Sequence, residues 1–172
     1  MSKNILMGLA AAMLLSGCVT DRESVELEKP VRVGDVIRFT AGRCFGACPA
    51  YTLRVTPDGS GLLEPERFTS VPGPTRFAVT QAQYRRFRAS LAPFRPLSGT
   101  SKRIAQGGNC TRFATDMPSY VIEWTREGKQ PTRLEYQSGC MDARYAKLRT
   151  AIGAIPKMLD IEPLLKAPLP KK

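Results

Sequence analysis

The sequence contains no histidine in its 172 residues. Histidine is the commonest general base in enzymes, the commonest metal ligand and the side chain that titrates near neutral pH. Its absence excludes Ser-His-Asp and Cys-His catalytic arrangements. A phosphate-binding loop is also lacking, because Gly107-Gly108 has neither the lysine nor the spacing of such loops. The composition therefore argues against several enzyme classes before any residue argues for one.

The apolar run at the start of the chain, residues 5–15, is too short to span a bilayer. Lys3 precedes this run, and Leu15-Ser16-Gly17-Cys18 ends it. These four residues resemble the lipobox of bacterial lipoproteins at every position. The resemblance implies that residues 1–17 are a signal peptide and that Cys18 begins the mature chain and carries acyl chains such as palmitate. An ordinary secretory peptide, in which Cys18 is accidental, is the alternative.

Residue 19 is valine and not aspartate, a pattern that resembles the outer-membrane sorting signal of lipoproteins. The sequence therefore predicts a protein of the bacterial cell envelope, lipid-anchored to the outer membrane and facing the periplasm. Residues 18–30 are predicted to be the lipidated cysteine and a polar linker. Residues 31–162 are predicted to form a single domain, and residues 163–172 a tail rich in proline and lysine.

Positive charge is concentrated in the predicted domain. The formal net charge of the chain is +11, and residues 1–30 hold three Lys/Arg and four Asp/Glu, a net of −1, so residues 31–172 carry +12. Such a balance favours anionic partners. Nucleic acid is not expected for an exported, lipid-anchored protein. The expected partners are the membrane, through the lipid anchor, and an envelope protein or an anionic polymer.

Two stretches of alternating apolar residues predict β-hairpins, each followed by an amphipathic helix. A turn is predicted at Pro57-Asp58-Gly59, and Thr80 is a good helix N-cap. The strand residues match at an offset of 69 and the helix residues at an offset of 61. The matching sets are Tyr51, Leu53, Val55 with Tyr120, Ile122, Trp124, and Tyr84, Phe87, Leu91, Phe94 with Tyr145, Leu148, Ile152, Ile155.

This pattern predicts an α+β fold built as a pseudo-repeat of hairpin–helix units. We expect two layers, a mainly antiparallel sheet with two amphipathic helices on one face, because neither hairpin can bury its apolar face alone. Shared hairpin and helix patterns without a true repeat are the alternative. Residues 96–116 are predicted to be either a loop or a short strand near Ile104.

Four cysteines remain besides Cys18, and an even count in an exported protein indicates disulfides. Three connectivities are possible. If the chain folds back around Gly128, residues near 116 lie opposite those near 139, and the end of the second strand meets the loop before it. This geometry favours the pairs Cys110–Cys140 and Cys44–Cys48.

Three reactive sites compete with this structural interpretation. Cys44 and Cys48 could form a thiol–disulfide redox pair with Arg43 lowering a thiol pKa, but the spacing is Cys-x₃-Cys and Pro49 leads into a strand. A four-cysteine metal site conflicts with the wide separation of the last two cysteines. Asp116 could act as a general acid, although aspartate before a strand is more typical of a turn.

The segment Cys44-Phe45-Gly46-Ala47-Cys48-Pro49-Ala50-Tyr51 resembles the domain of unknown function numbered 6438. The strand that follows, Asp58-Gly59, a helix, the step from Thr115 to Pro118 and a closing helix extend the resemblance over roughly residues 33–155. The resemblance implies an exported single domain in which Cys44 and Cys48 form a unit. It implies no activity and no catalytic residue.

The sequence therefore predicts a lipid-anchored envelope binding or structural module without catalytic activity, cofactor or metal. Its site residues are the lipidated Cys18 and the disulfide cysteines 44, 48, 110 and 140. The alternative function is a thiol–disulfide redox protein or sensor that uses Cys44 and Cys48.

Overall fold

The computed structural model describes residues 33–166. The predictions for the signal peptide, the lipidated Cys18, the linker and the last six residues of the tail lie outside the described residues. Among residues 33–166, no helix combines the length and the apolar character needed to cross a membrane.

One sheet of seven strands carries the fold, in the spatial order β4-β3-β2-β1-β6-β7-β5. Every neighbouring pair is antiparallel except β5 and β7, which are parallel. The strands are β1 Val36–Ala41, β2 Ala50–Val55, β3 Ser60–Arg67, β4 Thr75–Ala78, β5 Ser101–Ile104, β6 Ser119–Thr125 and β7 Thr132–Gln137.

Four α-helices and two short 3-10 helices complete the described chain. The α-helices are α1 Gln81–Leu91, α2 Ala146–Gly153, α3 Ile155–Met158 and α4 Glu162–Leu165, and the 3-10 helices span Ala92–Phe94 and Ala143–Tyr145. The predicted α+β class and the mostly antiparallel sheet are confirmed. The internal repeat and the two-layer arrangement stay predictions.

The central strand β1 joins the two halves of the chain. Along it Ile37, Phe39 and Ala41 are buried while Arg38 is exposed, the alternation of a strand with one face in the core. Its neighbours are β2 on one side and β6 on the other, so both predicted hairpins, β2-β3 and β6-β7, continue the sheet outward from it. Buried side chains of both hairpins and of the helices belong to one hydrophobic cluster.

The first helix begins where the sequence predicts. The Thr80 hydroxyl accepts the backbone N–H of Gln83 at 3.2 Å, and the Gln83 side chain accepts the Thr80 N–H at 2.8 Å. This capping box satisfies backbone donors that would otherwise lack partners in the first turn. Phe87 and Leu91, two of the predicted apolar positions, are fully buried.

The packed domain extends past the predicted boundary at residue 162. Leu165 in α4 is only 9% exposed, and Leu164 packs against the core. The Ser70 N–H donates to the Leu164 carbonyl at 3.1 Å, and the Ser70 hydroxyl donates to the Pro163 carbonyl at 2.7 Å. The sequence analysis assigned these two leucines to the tail because proline and lysine are frequent at the end of the chain.

The sheet ends on two short strands, since β4 and β5 have four residues each. The segment 96–116, predicted to be a loop or to hold a strand near Ile104, supplies β5. β5 precedes β6 in the chain but pairs in parallel with β7 at the edge of the sheet. The connection from β5 to β6 therefore passes across β7.

Candidate anion-binding site

The carboxylate of Asp35 is fully buried immediately before β1. Two arginines contact both of its oxygens. Arg95 places Nη1 at 2.8 Å and Nη2 at 3.5 Å, and Arg126 places Nε at 3.1 Å and Nη2 at 3.3 Å. The Nε atom of Arg88 lies 3.9 Å away, so three guanidinium groups surround one carboxylate.

Strand register brings Asp35 and Arg126 together. Val36 and Thr125 are the last paired residues of β1 and β6 at this end, and the pairing is antiparallel. Asp35 and Arg126 therefore face each other one residue further out, although they are 91 residues apart in sequence. The tip of the β6-β7 hairpin continues through Gly128, whose φ of 68° suits glycine, to Lys129.

Helix α1 and the residue after its 3-10 extension supply the other contacts. Arg88 lies in the last turn of α1, and Arg95 follows the 3-10 helix. The Arg95 guanidinium also lies 5.5 Å from the centre of the Trp124 ring, a cation–π distance. The Tyr84 hydroxyl donates to the Asp35 carbonyl at 2.6 Å, and its pKa is raised by burial and, second, by the negative charge of Asp35.

A cavity of about 260 Å³ opens beside this cluster. Its walls are formed by Asp35, Arg95, Ser98, Trp124, Arg126, Lys129 and Gln130. Within the described chain, the side chains of Ser98, Lys129 and Gln130 make no hydrogen bond, and neither does Nη1 of Arg126. These groups are donors available to a bound molecule.

The charge of the cluster is not balanced by the residues that form it. Three arginines against one aspartate leave +2, and Lys129 on the cavity wall adds a further positive charge. Attraction between charges is strong where water is largely excluded, and one wall of this cavity is a fully buried carboxylate and an almost fully buried Trp124. The site can therefore hold a carboxylate or a phosphate group through charge-assisted hydrogen bonds.

Ion pairs across the sheet show a different balance. Four arginines pair with four glutamates over β1, β3, β5, β6, β7 and the loop after β1, so their charges cancel. The pairs involve Arg38, Arg43, Arg103 and Arg133 with Glu64, Glu66, Glu123 and Glu135. Among the ion pairs of residues 33–166, the cluster around Asp35 is thus the one in which positive charge exceeds negative charge.

The cysteines pair as the sequence analysis favours. Cys44 and Cys48 are bonded with their Cα atoms 5.8 Å apart, and Cys110 and Cys140 with theirs 5.6 Å apart. The first pair closes the loop between β1 and β2. The second ties the loop before β6 to the chain after β7, where the Ala114 N–H donates to the Gly139 carbonyl at 2.8 Å.

Arg43, invoked for a lowered thiol pKa, is engaged elsewhere. Its Nε atom donates to the Glu66 carboxylate at 2.6 Å. The loop that holds Cys44 and Cys48 lies between two strands and not at a helix N-terminus. A helix N-terminus is therefore not available to activate these cysteines, although Arg43 and Arg67 both lie beside the disulfide, and the redox hypothesis stays untested.

Cys110, Cys140 and Asp142 are the one group of three Cys, Asp or Glu residues within residues 33–166 that is close enough to share a cation. Both sulfur atoms are in a disulfide and offer no thiolate. The Asp142 carboxylate accepts the backbone N–H groups of Thr111 and Arg112 at 3.1 and 2.8 Å, and these bonds lower its pKa to about 2. Its role is to close the loop that carries Cys110.

Asp116 occupies a turn. Its φ of 69° places the backbone in the left-handed region, its side chain is exposed, and its carbonyl accepts the Phe45 N–H at 3.0 Å. This contact joins the Cys44–Cys48 loop to the segment before β6. No base or second carboxylate among the described residues bonds to the Asp116 side chain, whose recorded partner is the Thr115 hydroxyl at 3.1 Å.

Sequence reasoning did not find the Asp35 cluster. Its arginines look like ordinary surface residues, because they lie 53 to 91 positions after Asp35 and follow no motif. Two residues could have indicated it. Asp35 is an acid directly before strand β1, and Arg126 is an arginine directly after β6, the strand that pairs with β1.

Together these features define a small α+β domain with a seven-stranded sheet, two disulfides and an arginine-lined cavity. Residues 35–159 match the family described as Domain of unknown function (DUF6438), and the chain belongs to that family. The match begins at Asp35. No curated protein and no solved structure matches the chain.

Proposed function

We propose that this protein is a lipid-anchored, non-catalytic binding module of the bacterial envelope, and that its cavity beside Asp35 takes an anionic group of an envelope protein or polymer. The observation that carries the proposal is the unbalanced charge of three arginines around one buried aspartate. The two bidentate contacts hold Arg95 and Arg126 in place before any ligand arrives, which reduces the entropy that binding must overcome.

The chemistry of the ligand follows from the groups on the cavity wall. Lys129, Gln130 and Arg126 offer N–H donors, and Ser98 offers a hydroxyl. Carboxylate and phosphate groups share the oxygen acceptors and negative charge that such donors recognise. Citrate represents the first class and pyrophosphate the second, and both are small enough to test the cavity directly.

Titration calorimetry with the full chain tests this site at low and high salt. We expect saturable binding of citrate or pyrophosphate that weakens as salt rises. Lys129→Gln should weaken binding about tenfold, the effect of losing about 1.4 kcal/mol of charge-assisted hydrogen bonding. Arg54→Gln is the matched control, since Arg54 is an exposed arginine of β2 outside the cavity.

An equal loss in both variants would mean that the net charge of the domain, and not this cavity, attracts the anions. Absence of binding at low salt would remove the proposal. The better of the two probes identifies the chemical class of the partner's anionic group.

The location is tested separately. The full chain should be recovered with the outer membrane, whereas Cys18→Ser should abolish lipid attachment and release the protein from it. Membrane association that survives Cys18→Ser would contradict the lipid anchor and leave the anion site unaffected.

A further inference from the structure

A second cavity, an apolar groove of about 330 Å³, lies at the other end of β1. Ala41, the last residue of β1, pairs with Tyr51 of β2 on one side and with Tyr120 of β6 on the other. Paired residues of neighbouring strands lie on the same face, so the alanine methyl group lies between two tyrosines whose Cα atoms are about 10 Å apart. A small residue between two large ones leaves a recess there.

The walls of the groove are apolar apart from the hydroxyl groups of Tyr51 and Tyr120. Phe39 lies next to Ala41 on the same face of β1, and its ring stacks on Tyr120 with centroids 5.7 Å apart. Helices α2, α3 and α4 and the two loops before β2 and β6 provide the remaining walls, through Ile152, Gly153, Pro156, Leu165, Pro49 and Pro118. No charged side chain of residues 33–166 lines the groove.

The hydroxyl groups of Tyr51 and Tyr120 are unlike those of the other tyrosines. The chain has five tyrosines, and the hydroxyls of Tyr84, Tyr136 and Tyr145 each donate to a backbone carbonyl. Those of Tyr51 and Tyr120 bond to no described residue, although Tyr51 is only 6% exposed. No side-chain oxygen of residues 33–166 is both buried and without a partner, so these two hydroxyl oxygens reach solvent and are available to a molecule in the groove.

Both hydroxyls remain protonated at neutral pH. Burial raises the pKa of Tyr51, and the neighbouring Tyr120 raises it further. Burial is also the main cause of the raised pKa of Tyr120. The groove therefore presents two neutral O–H donors, from tyrosines on the two sides of the Ala41 recess.

The residues that line the groove indicate the chemical class of ligand that it can bind. An apolar surface favours a hydrocarbon chain, and two donors favour an oxygen acceptor. A carboxylate would lose its hydration without gaining a cation, because the walls carry no charge. An ester carbonyl has the acceptor without the charge. At about 330 Å³ the groove lies at the small end of ligand pockets, which suits a medium-length chain such as octanoyl.

We propose that this groove binds a neutral acyl ester of medium chain length, whose carbonyl oxygen accepts a hydrogen bond from the Tyr51 or the Tyr120 hydroxyl. The hydrocarbon chain lies over Ala41 and Phe39, beneath Ile152 and Leu165. This site is separate from the Asp35 cavity and does not depend on the anion-binding function.

Gly153 makes a direct test possible. It lines the groove, and a Cβ atom added to it would meet no other atom within 4 Å. Leucine at this position meets no obstacle at its Cβ atom, can extend from the groove wall over the bound chain, and favours the α2 helix over glycine. Gly73→Leu is the matched control, because Gly73 is equally open and lies outside the groove.

The probes are mono-octanoylglycerol and octanoate, each titrated calorimetrically into the full chain at pH 7.5 below its micelle concentration. We expect one mono-octanoylglycerol to bind per chain, and octanoate to bind at least tenfold more weakly. Gly153→Leu should abolish binding without lowering the thermal midpoint, and Gly73→Leu should leave binding unchanged. Replacing both tyrosines, Tyr51→Phe with Tyr120→Phe, should weaken binding about tenfold through the lost hydrogen bond.

Three results would overturn the proposal. They are the absence of saturable binding, equal affinity for octanoate, and binding that Gly153→Leu leaves intact. If the full chain fails to bind but a chain ending at Lys166 does, the groove is a site for residues 167–172 of the protein itself, and the acyl ester proposal is wrong.

Discussion

Asp35 and Arg126 face each other one residue beyond the last paired positions of β1 and β6, joined by two contacts of 3.1 and 3.3 Å. The acid is fully buried, whereas the arginine side chain is 42% exposed. One side of this pair therefore belongs to the core and the other to the cavity, so a single carboxylate both stabilises the fold and positions the donors of the proposed site.

Replacing Asp35 should be strongly destabilising. Asp35→Asn keeps the shape of the side chain but removes the charge that holds three arginines together. Breaking a buried ion pair by removing one partner costs about 3–5 kcal/mol. Urea unfolding of the full chain measures this loss, with Glu127→Gln as the control, because Glu127 is exposed and outside the cluster. A loss below about 1 kcal/mol would show that the arginines find other partners.

The two disulfides should contribute unequally. Cys110 and Cys140 are 30 residues apart in sequence, and Cys44 and Cys48 are four apart. A longer closed loop restricts the unfolded chain more. Replacing Cys110 and Cys140 by alanines should therefore lower the free energy of unfolding by about 3.5 kcal/mol, and replacing Cys44 and Cys48 should lower it by about 2 kcal/mol. Urea unfolding of the two double variants gives the comparison. Peptide mapping without reduction must first show the pairs 44–48 and 110–140, and a linked 44–110 or 48–140 peptide would contradict both.

The pH dependence of stability should contain a contribution from Asp142. Two backbone N–H groups lower the pKa of its carboxyl from 3.8 to about 2. A group with a lowered folded-state pKa stabilises the protein fully above its unfolded pKa, and this stability is lost as the pH falls through the folded one. The free energy of unfolding should therefore fall between pH 4 and pH 2 more steeply in the wild type than in Asp142→Asn. Parallel curves would mean that Asp142 titrates alike in both states.

Local chemistry made much of the fold predictable. The alternation around Leu53 and Ile122 identified strands β2 and β6, and Thr80 identified the start of α1. The hairpin around Gly128 was enough to favour the pairing of Cys110 with Cys140. Each of these inferences uses residues that are close in sequence or joined by a single turn.

Features that depend on distant residues were not predictable in the same way. The parallel edge strand β5 carries little apolar signal, because only Ile104 of its four residues is buried. Placing β1 between the two hairpins requires knowledge of their packing. To predict the Asp35 cluster, one must also know where α1 packs. To predict that Ala41 lies between Tyr51 and Tyr120, one must know the register of two strand pairs. A single sequence encodes these relationships only through the completed fold.

The two edge strands of the sheet affect how readily one copy of the protein associates with another. An exposed edge strand offers unpaired backbone groups to a second copy, and long edges promote aggregation. Here β4 and β5 are four residues long, two prolines lie just before β4, and Lys102 and Arg103 place positive charge on β5. Short edges, proline and like charge oppose the growth of the sheet from one molecule into the next, so two copies at high concentration are not expected to join their sheets.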